Sequence, residues 1–208
     1  MTSEPRASLR EEQKNLTRDR LLDAAIEVLF EKTIVDATME DIAKAAGVTR
    51  VTVYAHFPGK VEIVHALAER MYSLMGEAFA ELAAIPRWTR AEVRGWLDRA
   101  TEYWREMTPV LRVVRSSSSL VRRVPADARD RYTGARERYV SLLLGTPGRW
   151  QDVPPAQATQ RATMVVLQTE SFLTAWLVAG IPMETDDPLE LLADALCYLL
   201  DPALDKDS

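Results

Sequence analysis

Between Lys60 and Ala84 the apolar residues Val64, Leu67, Met71, Leu74, Ala78 and Leu82 recur at intervals of three and four, the spacing of one face of an α-helix. A helix of about six turns with such a stripe must be covered by other elements. No stretch alternates apolar with polar residues, so no sheet is available to cover it. The other apolar residues repeat as the long helix does. Leu22, Ala25, Ile26 and Leu29 do so between Thr17 and Phe30, and Val93, Trp96, Leu97, Ala100, Tyr103, Trp104 and Met107 after Thr89. Ala128, Tyr132, Ala135, Tyr139 and Leu142 follow Pro125, and Leu189, Leu192, Leu196 and Leu199 close the chain. The pattern predicts an all-α fold of about nine helices without internal repeats.

With 208 residues, 47% of them hydrophobic, the chain can bury one sizeable core or a small and a larger lobe sharing the long helix. The formal charge is −5, and residues 1–60 hold nine Lys/Arg against ten Asp/Glu, so any nucleic acid must be met by a local surface. Residues 1–15 are polar and read as a flexible arm. Arg6, Arg10 and Lys14 could touch a polyanion there, but Glu4, Glu11 and Glu12 offset them and favour a solvated tail. A single cysteine, Cys197, excludes an internal disulfide and, with no signal peptide, points to the cytoplasm. The apolar run from Thr163 to Gly180 is interrupted by Gln168, Thr169, Glu170 and Ser171, against a membrane span. Residues 112–138 carry eight arginines against three acidic residues, the pattern of a solvated face.

The stretch TMEDIAKAAGVTRVTVYAHF, residues 38–57, is built differently. Thr38 and Asp41 have the form of a capping box, starting a short helix that Gly47 ends. Thr49 then caps a second helix of barely two turns, from Arg50 to His56. In a bihelical arrangement Ile42, Ala43, Ala46, Val53 and Phe57 face inward, with Gly47 supplying the left-handed residue of the turn. Arg50, Val51 and Tyr54 then share the outer face, flanked by Thr49, Thr52 and His56. A face of guanidinium, hydroxyl, phenol and imidazole without a carboxylate suits phosphate and base-edge contacts, and the Val51 methyls suit thymine. Tyr54 can alternatively belong to the core, and His56 can serve as a cation at the helix C-terminus.

Residues 17–67 resemble the helix-turn-helix domain of the tetracycline-repressor-like (TetR family) transcription regulators. Thr38, Ile42, Ala43, Gly47, Val48, Tyr54, Phe57 and Lys60 carry the match. Thr33 and Val51 stand where the family commonly has glycine. The resemblance implies a two-lobed homodimer: a flexible arm at 1–15, a DNA-binding domain at 16–62, and a ligand-binding and dimerisation domain at 63–204. It implies that Thr49, Arg50, Thr52, Tyr54 and His56 meet double-stranded DNA, as the methyls of Val51 suit it to do, and that Thr38 and Lys60 each meet a phosphate. The dimer is expected through the last two helices, with Leu196 in the contact, and the operator is expected to be near-palindromic.

In the C-terminal part the rings and neighbours Trp96, Tyr103, Trp104, Met107, Gln168, Phe172 and Trp176 are candidates for a pocket holding a small, largely apolar effector. Aromatic stripes at this spacing are also what a plain core looks like. Gln168 and Glu170 either satisfy buried partners or read a polar group of the ligand. With two isolated histidines, no metal-ligand cluster and no phosphate-cradling glycine loop, the sequence predicts no enzyme, no cofactor and no metal. The expected function is therefore a ligand-responsive DNA-binding repressor, with a DNA-binding dimer that senses no small molecule as the alternative.

Overall fold

The computed structural model describes residues 9–116, 126–146 and 148–201, with the backbone alone for 126–133. Among them are nine α-helices and no strand: α1 Leu9–Glu31, α2 Met39–Ala46, α3 Arg50–His56, α4 Lys60–Ala84, α5 Arg90–Glu106, α6 Thr108–Ser116, α7 Ala126–Leu144, α8 Pro155–Leu173 and α9 Pro188–Leu200. One π-helical turn, Thr174–Val178, continues α8. No helix among the described residues is long and apolar enough to cross a membrane.

The helix α1 begins at Leu9, well before Thr17, so residues 9–15 of the expected arm form two further turns. Leu, Arg, Glu, Gln and Lys there are all good helix formers, and Glu11 and Glu12 sit at the positive end of the helix dipole. These turns are exposed on every side and carry no apolar stripe, which is why periodicity misses them.

The chain divides into two compact units. Of the described residues, 9–69 and 109–116 belong to the first and the remainder to the second, so α4 is shared between them. Residues 109–116, expected with the C-terminal domain, thus join the first unit. The core of that unit contains Leu21, Leu22, Ala25, Ile42, Val53, Ile63 and Leu67, all essentially without exposure. On its flank the Arg112 guanidinium of α6 lies 5.7 Å from the centre of the Phe30 ring, within the range of a cation–π contact.

In the second unit, the α5 stripe of Val93, Trp96, Leu97, Ala100 and Trp104 is fully buried. Phe79 of α4 sits between two rings, 5.8 Å from Trp96 and stacked at 5.0 Å on Tyr139 of α7. Trp96 donates its ring N–H to the Ala78 carbonyl at 2.7 Å, and the Tyr139 hydroxyl donates to the Tyr72 carbonyl at 2.5 Å, so the polar atoms of both buried rings are satisfied. A Cβ on Gly76 would stand 3.3 Å from the Tyr139 ring, so α4 carries glycine where α7 comes close.

Leu189, Leu192, Leu196 and Leu199 of α9 all point into this core. Leu196, at 0% exposure, is therefore a core residue and not a dimer contact. Arg161 of α8 donates to the Tyr198 and Leu199 carbonyls and so caps the C-terminus of α9. At the other end Arg90 and Arg94 of α5 reach Asp187, Glu190 and Asp194 around the start of α9.

Phe79 has no exposed surface and two ring partners, so Phe79→Ala should lower unfolding free energy by about 3–5 kcal/mol in chemical denaturation. A loss under about 1 kcal/mol would mean the three-ring stack is not a packed core.

Candidate nucleic-acid interface

The short pair α2–α3 is built as its capping residues dictate. The Thr38 hydroxyl accepts from the Asp41 N–H at 3.1 Å while the Asp41 carboxylate accepts from the Thr38 N–H at 2.9 Å, the reciprocal capping box. A hydrogen bond from Lys32 at 2.7 Å, then those from Thr38, hold the Asp41 carboxyl down at about 2. The cap thus keeps its charge well into acid. In the preceding turn, where the family commonly has glycine, Thr33 closes the chain with ordinary backbone angles. Its carbonyl accepts from the Asp36 and Ala37 N–H groups, and its hydroxyl donates to the Asp36 carboxylate at 2.6 Å.

The turn between the two helices needs Gly47, whose φ is +62°. Its N–H bonds to Lys44 O and the Val48 N–H to Ala43 O at 3.0 Å, the paired bonds of a Schellman motif. Arg20 of α1 adds a clamp, with Nε donating to Ala46 O at 2.8 Å and Nη2 to Ala46 O and Gly47 O. A Cβ on Gly47 would press on that guanidinium at 3.3 Å as well as strain the backbone. No signal in the sequence pattern singles out Arg20, because nothing local aims an arginine at a carbonyl 26 residues away.

Thr49 caps α3 by accepting from the Thr52 N–H at 3.2 Å, and Val53 and Phe57 anchor the helix at 0% and 3% exposure. The outer face is as expected from spacing: Arg50 is exposed, Val51 is 78% exposed and Tyr54 43%. Tyr54 is therefore not a core residue. Arg50 lies over the Tyr54 ring at 5.3 Å and donates to its hydroxyl at 3.3 Å, while the Thr49 and Thr52 hydroxyls stand 2.9 Å apart. His56 is half-buried at the end of the helix. Burial first, then the nearby charges of Lys14 and Arg18, lowers its pKa from the usual imidazole value, so it stands neutral near pH 7.

Lys60 departs from its expected role at a phosphate. Its ammonium donates to Ile34 O and Ala37 O at 2.6 Å and to Val35 O at 3.1 Å, so all three of its hydrogens are committed to the turn between α1 and α2. It braces that turn and keeps no donor for a phosphate. Thr38 is exposed, but its hydroxyl donates to Asp41 at 2.8 Å.

The ligand candidates of the second unit separate into two groups. Trp96, Trp104 and Met107 are buried, and Trp104 donates to the Thr174 hydroxyl at 3.4 Å. Tyr103, Gln168, Phe172 and Trp176 are half-buried; Tyr103 donates to Glu81 at 2.9 Å, and Phe172 and Trp176 lie 6.2 Å apart. Gln168 Oε1 is buried without a hydrogen-bond partner. Glu170 accepts from Arg136 Nε at 2.6 Å, and burial pushes its pKa up against that partner's pull. Of Gln168 and Glu170, Glu170 thus has a protein partner. Among the described residues no group of three or more His, Cys, Asp or Glu could hold a metal ion.

If Lys60 is a brace, Lys60→Met should lower the stability of the DNA-free protein by about 1–3 kcal/mol in denaturant melts, since it strands three carbonyls. Unchanged stability would return Lys60 to the surface as a free cation.

Residues 21–67 match the family model for bacterial regulatory proteins of the tetR family. The chain is 44% identical over 83 residues to the uncharacterized HTH-type transcriptional regulator TtgW of Pseudomonas putida, a match covering 39% of this chain and 61% of TtgW. It is equally similar over 83 residues to the HTH-type transcriptional regulator SrpR of Pseudomonas putida, of which 38% is covered. The chain thus matches less than two thirds of the length of these relatives. Its fold matches that of the TetR family transcriptional regulator PfmR from Thermus thermophilus, with a TM-score of 0.62 at 18% identity, covering 88% of this chain and 97% of that one. Residues 21–67 thus match the N-terminal domain of tetR-family bacterial regulatory proteins, and the described helices share the fold of a TetR family regulator.

Proposed function

We propose that the protein is a transcription repressor that binds a near-palindromic operator in double-stranded DNA as a homodimer and is released by a small, largely apolar molecule. The observation that carries the reading is the outer face of α3. There Arg50, Val51 and Tyr54 stand exposed on a helix anchored from behind, with Thr49 and Thr52 beside them and no carboxylate among them. An anchored helix with such a face fits the major groove, where guanidinium, hydroxyl and methyl groups discriminate base edges. The HTH-type regulators that the N-terminal part resembles support it.

A surface suited to dimerisation lies on the last two helices. Met164 and Leu167 on α8 and Leu191 and Tyr198 on α9 are 39%, 42%, 78% and 51% exposed, a great deal of apolar surface to leave in water. An operator with half-sites one turn apart requires the dimer to hold its two copies of α3 roughly 34 to 36 Å apart. For the effector, Phe172 and Trp176 offer ring surface, and the unpartnered Gln168 oxygen offers an acceptor on the same helix. A 100-fold loss of DNA affinity on effector binding needs about 2.7 kcal/mol of coupling, within the ordinary allosteric range. The packing of Trp96, Trp104 and Met107 to 0–3% exposure favours a second reading, a DNA-binding dimer that takes no small molecule.

Selection of bound duplexes from a random library tests the first claim. The wild type should enrich a near-palindrome, and Arg50→Ala should weaken binding to it by about 1–3 kcal/mol. Failure to enrich any sequence at low salt would overturn the reading. For the dimer, Leu167→Glu or Leu191→Glu should yield folded monomers by light scattering, and a stable dimer in both variants would move the interface elsewhere.

A further inference from the structure

A cleft of about 480 Å³ lies between the N-terminal half of α1 and the end of α3, lined by Glu11, Lys14, Asn15, Arg18, Ala55 and His56. Lys14, Asn15 and Arg18 follow Glu11 by three, four and seven residues, so the four share one face of the α1 extension. That extension has no core of its own to serve, since residues 9–15 are exposed throughout. Arg18 is held in place with its guanidinium 5.1 Å from the centre of the Phe57 ring, next to the final residue of α3. Two cations, an amide donor and an imidazole therefore line one concavity, opposed by a single carboxylate.

We propose that this cleft seats a phosphate of the DNA backbone, held by Lys14, Asn15, Arg18 and His56, while the outer face of α3 reads the adjacent groove. The proposal rests on the DNA-binding reading above and extends the contact surface onto α1, beyond the helix-turn-helix pair. The site is polar, concave and continuous with the end of the reading helix, as a positioning contact must be. Lysine, arginine, asparagine and imidazole supply donors to phosphate oxygens, and the cations release counterions when they are neutralised. Glu11 at the edge disfavours anions that come without the pull of the rest of the duplex. This selects for a phosphate presented by DNA over one free in solution.

The test measures affinity for the duplex selected above as a function of salt, in wild type, Lys14→Gln and Arg50→Ala. Lys14 is exposed, so its replacement leaves the fold intact, which circular dichroism checks. Lys14→Gln should weaken all duplexes alike and flatten the salt dependence by about 0.9 in log–log slope per protomer, about 1.8 for the dimer. Between 50 and 200 mM salt that amounts to an affinity drop about 12-fold smaller than that of the wild-type dimer. Arg50→Ala should instead change which duplexes are preferred. An unchanged slope in Lys14→Gln alongside a selectivity change in Arg50→Ala overturns the cleft and leaves the DNA-binding reading standing. If wild type itself selects no duplex, the reading fails and the cleft with it.

A second arm separates the two sources of phosphate. The chain has only two histidines, so the His56 ring signal is readily assigned by NMR. Inorganic phosphate, added to the protein alone at constant ionic strength, should leave that signal unmoved, whereas the selected duplex should shift it. A shift with inorganic phosphate that Lys14→Gln abolishes, without any change in salt slope, would make the cleft a free-phosphate site and overturn its assignment to DNA.

Discussion

The exposed face of α3 depends on one backbone residue in a conformation that side chains disfavour. Gly47 turns the chain at φ +62°, and Arg20 fixes the turn from α1 by holding the Ala46 and Gly47 carbonyls. Without that left-handed step α2 would run on, and Val53 could not join Ile42 and Ala43 in the core while Arg50 and Tyr54 face out. Everything proposed for α3 is a consequence of where this turn sends it. The same unit uses two more polar clamps, Lys60 on the turn between α1 and α2 and the Thr38–Asp41 box at the start of α2. Each joins side chain to backbone, so the lobe is fixed by directional bonds as well as by a small core.

Most of the fold is legible in the sequence because its signals are local. The stripes of α5 and α9, the capping box, the Thr49 cap and the glycine turn each involve residues within a few positions of one another, and each reappears in the structure. The stripe after Pro125 instead fails at Leu142, which is exposed while Leu143 is buried. The illegible part involves distant partners or a choice between faces. The chemistry of Lys60 is the same whether it meets a phosphate or three carbonyls, and only the fold brings Ile34, Val35 and Ala37 beneath it. On α9 the leucines that make the regular stripe are the buried ones. The exposed apolar residues, Leu191 and Tyr198, fall outside that stripe, where no periodicity draws the eye. The start of α1 is hidden for the converse reason: two turns exposed on all sides leave no apolar stripe to read.

In the second unit the same ring chemistry serves two different settings. Trp96 and Trp104 look alike in the sequence, and both are buried with their ring N–H donated to a protein oxygen. Their polar requirement is met inside the molecule, so neither needs a guest. Trp176 differs because it lies in the π-helical turn that ends α8, half-buried, with the Arg105 guanidinium 6.0 Å from its ring centre. A π turn inserts an extra residue and rotates the side chains beyond it, often where a helix serves a site. The aromatic candidates Trp96 and Trp104 are thus core, and Trp176 in the π turn offers accessible ring surface.

The run of Val51, Thr52 and Val53 looks like a defect in a helix and is better understood as stiffness on the face proposed to meet DNA. Three such residues forgo roughly 1.5 kcal/mol of helix propensity relative to alanine. Burying the Val53 and Phe57 side chains returns about 1.5–3 kcal/mol each, so the helix forms within its lobe although it would not form alone. In return, β-branched side chains have little χ1 freedom to lose on binding. Tyr54 is restrained in another way, by the Arg50 guanidinium over its ring and on its hydroxyl. If this face meets DNA as proposed, groups already held in place give up less conformational entropy at the moment of contact, and more of the contact energy is left to discriminate between sequences.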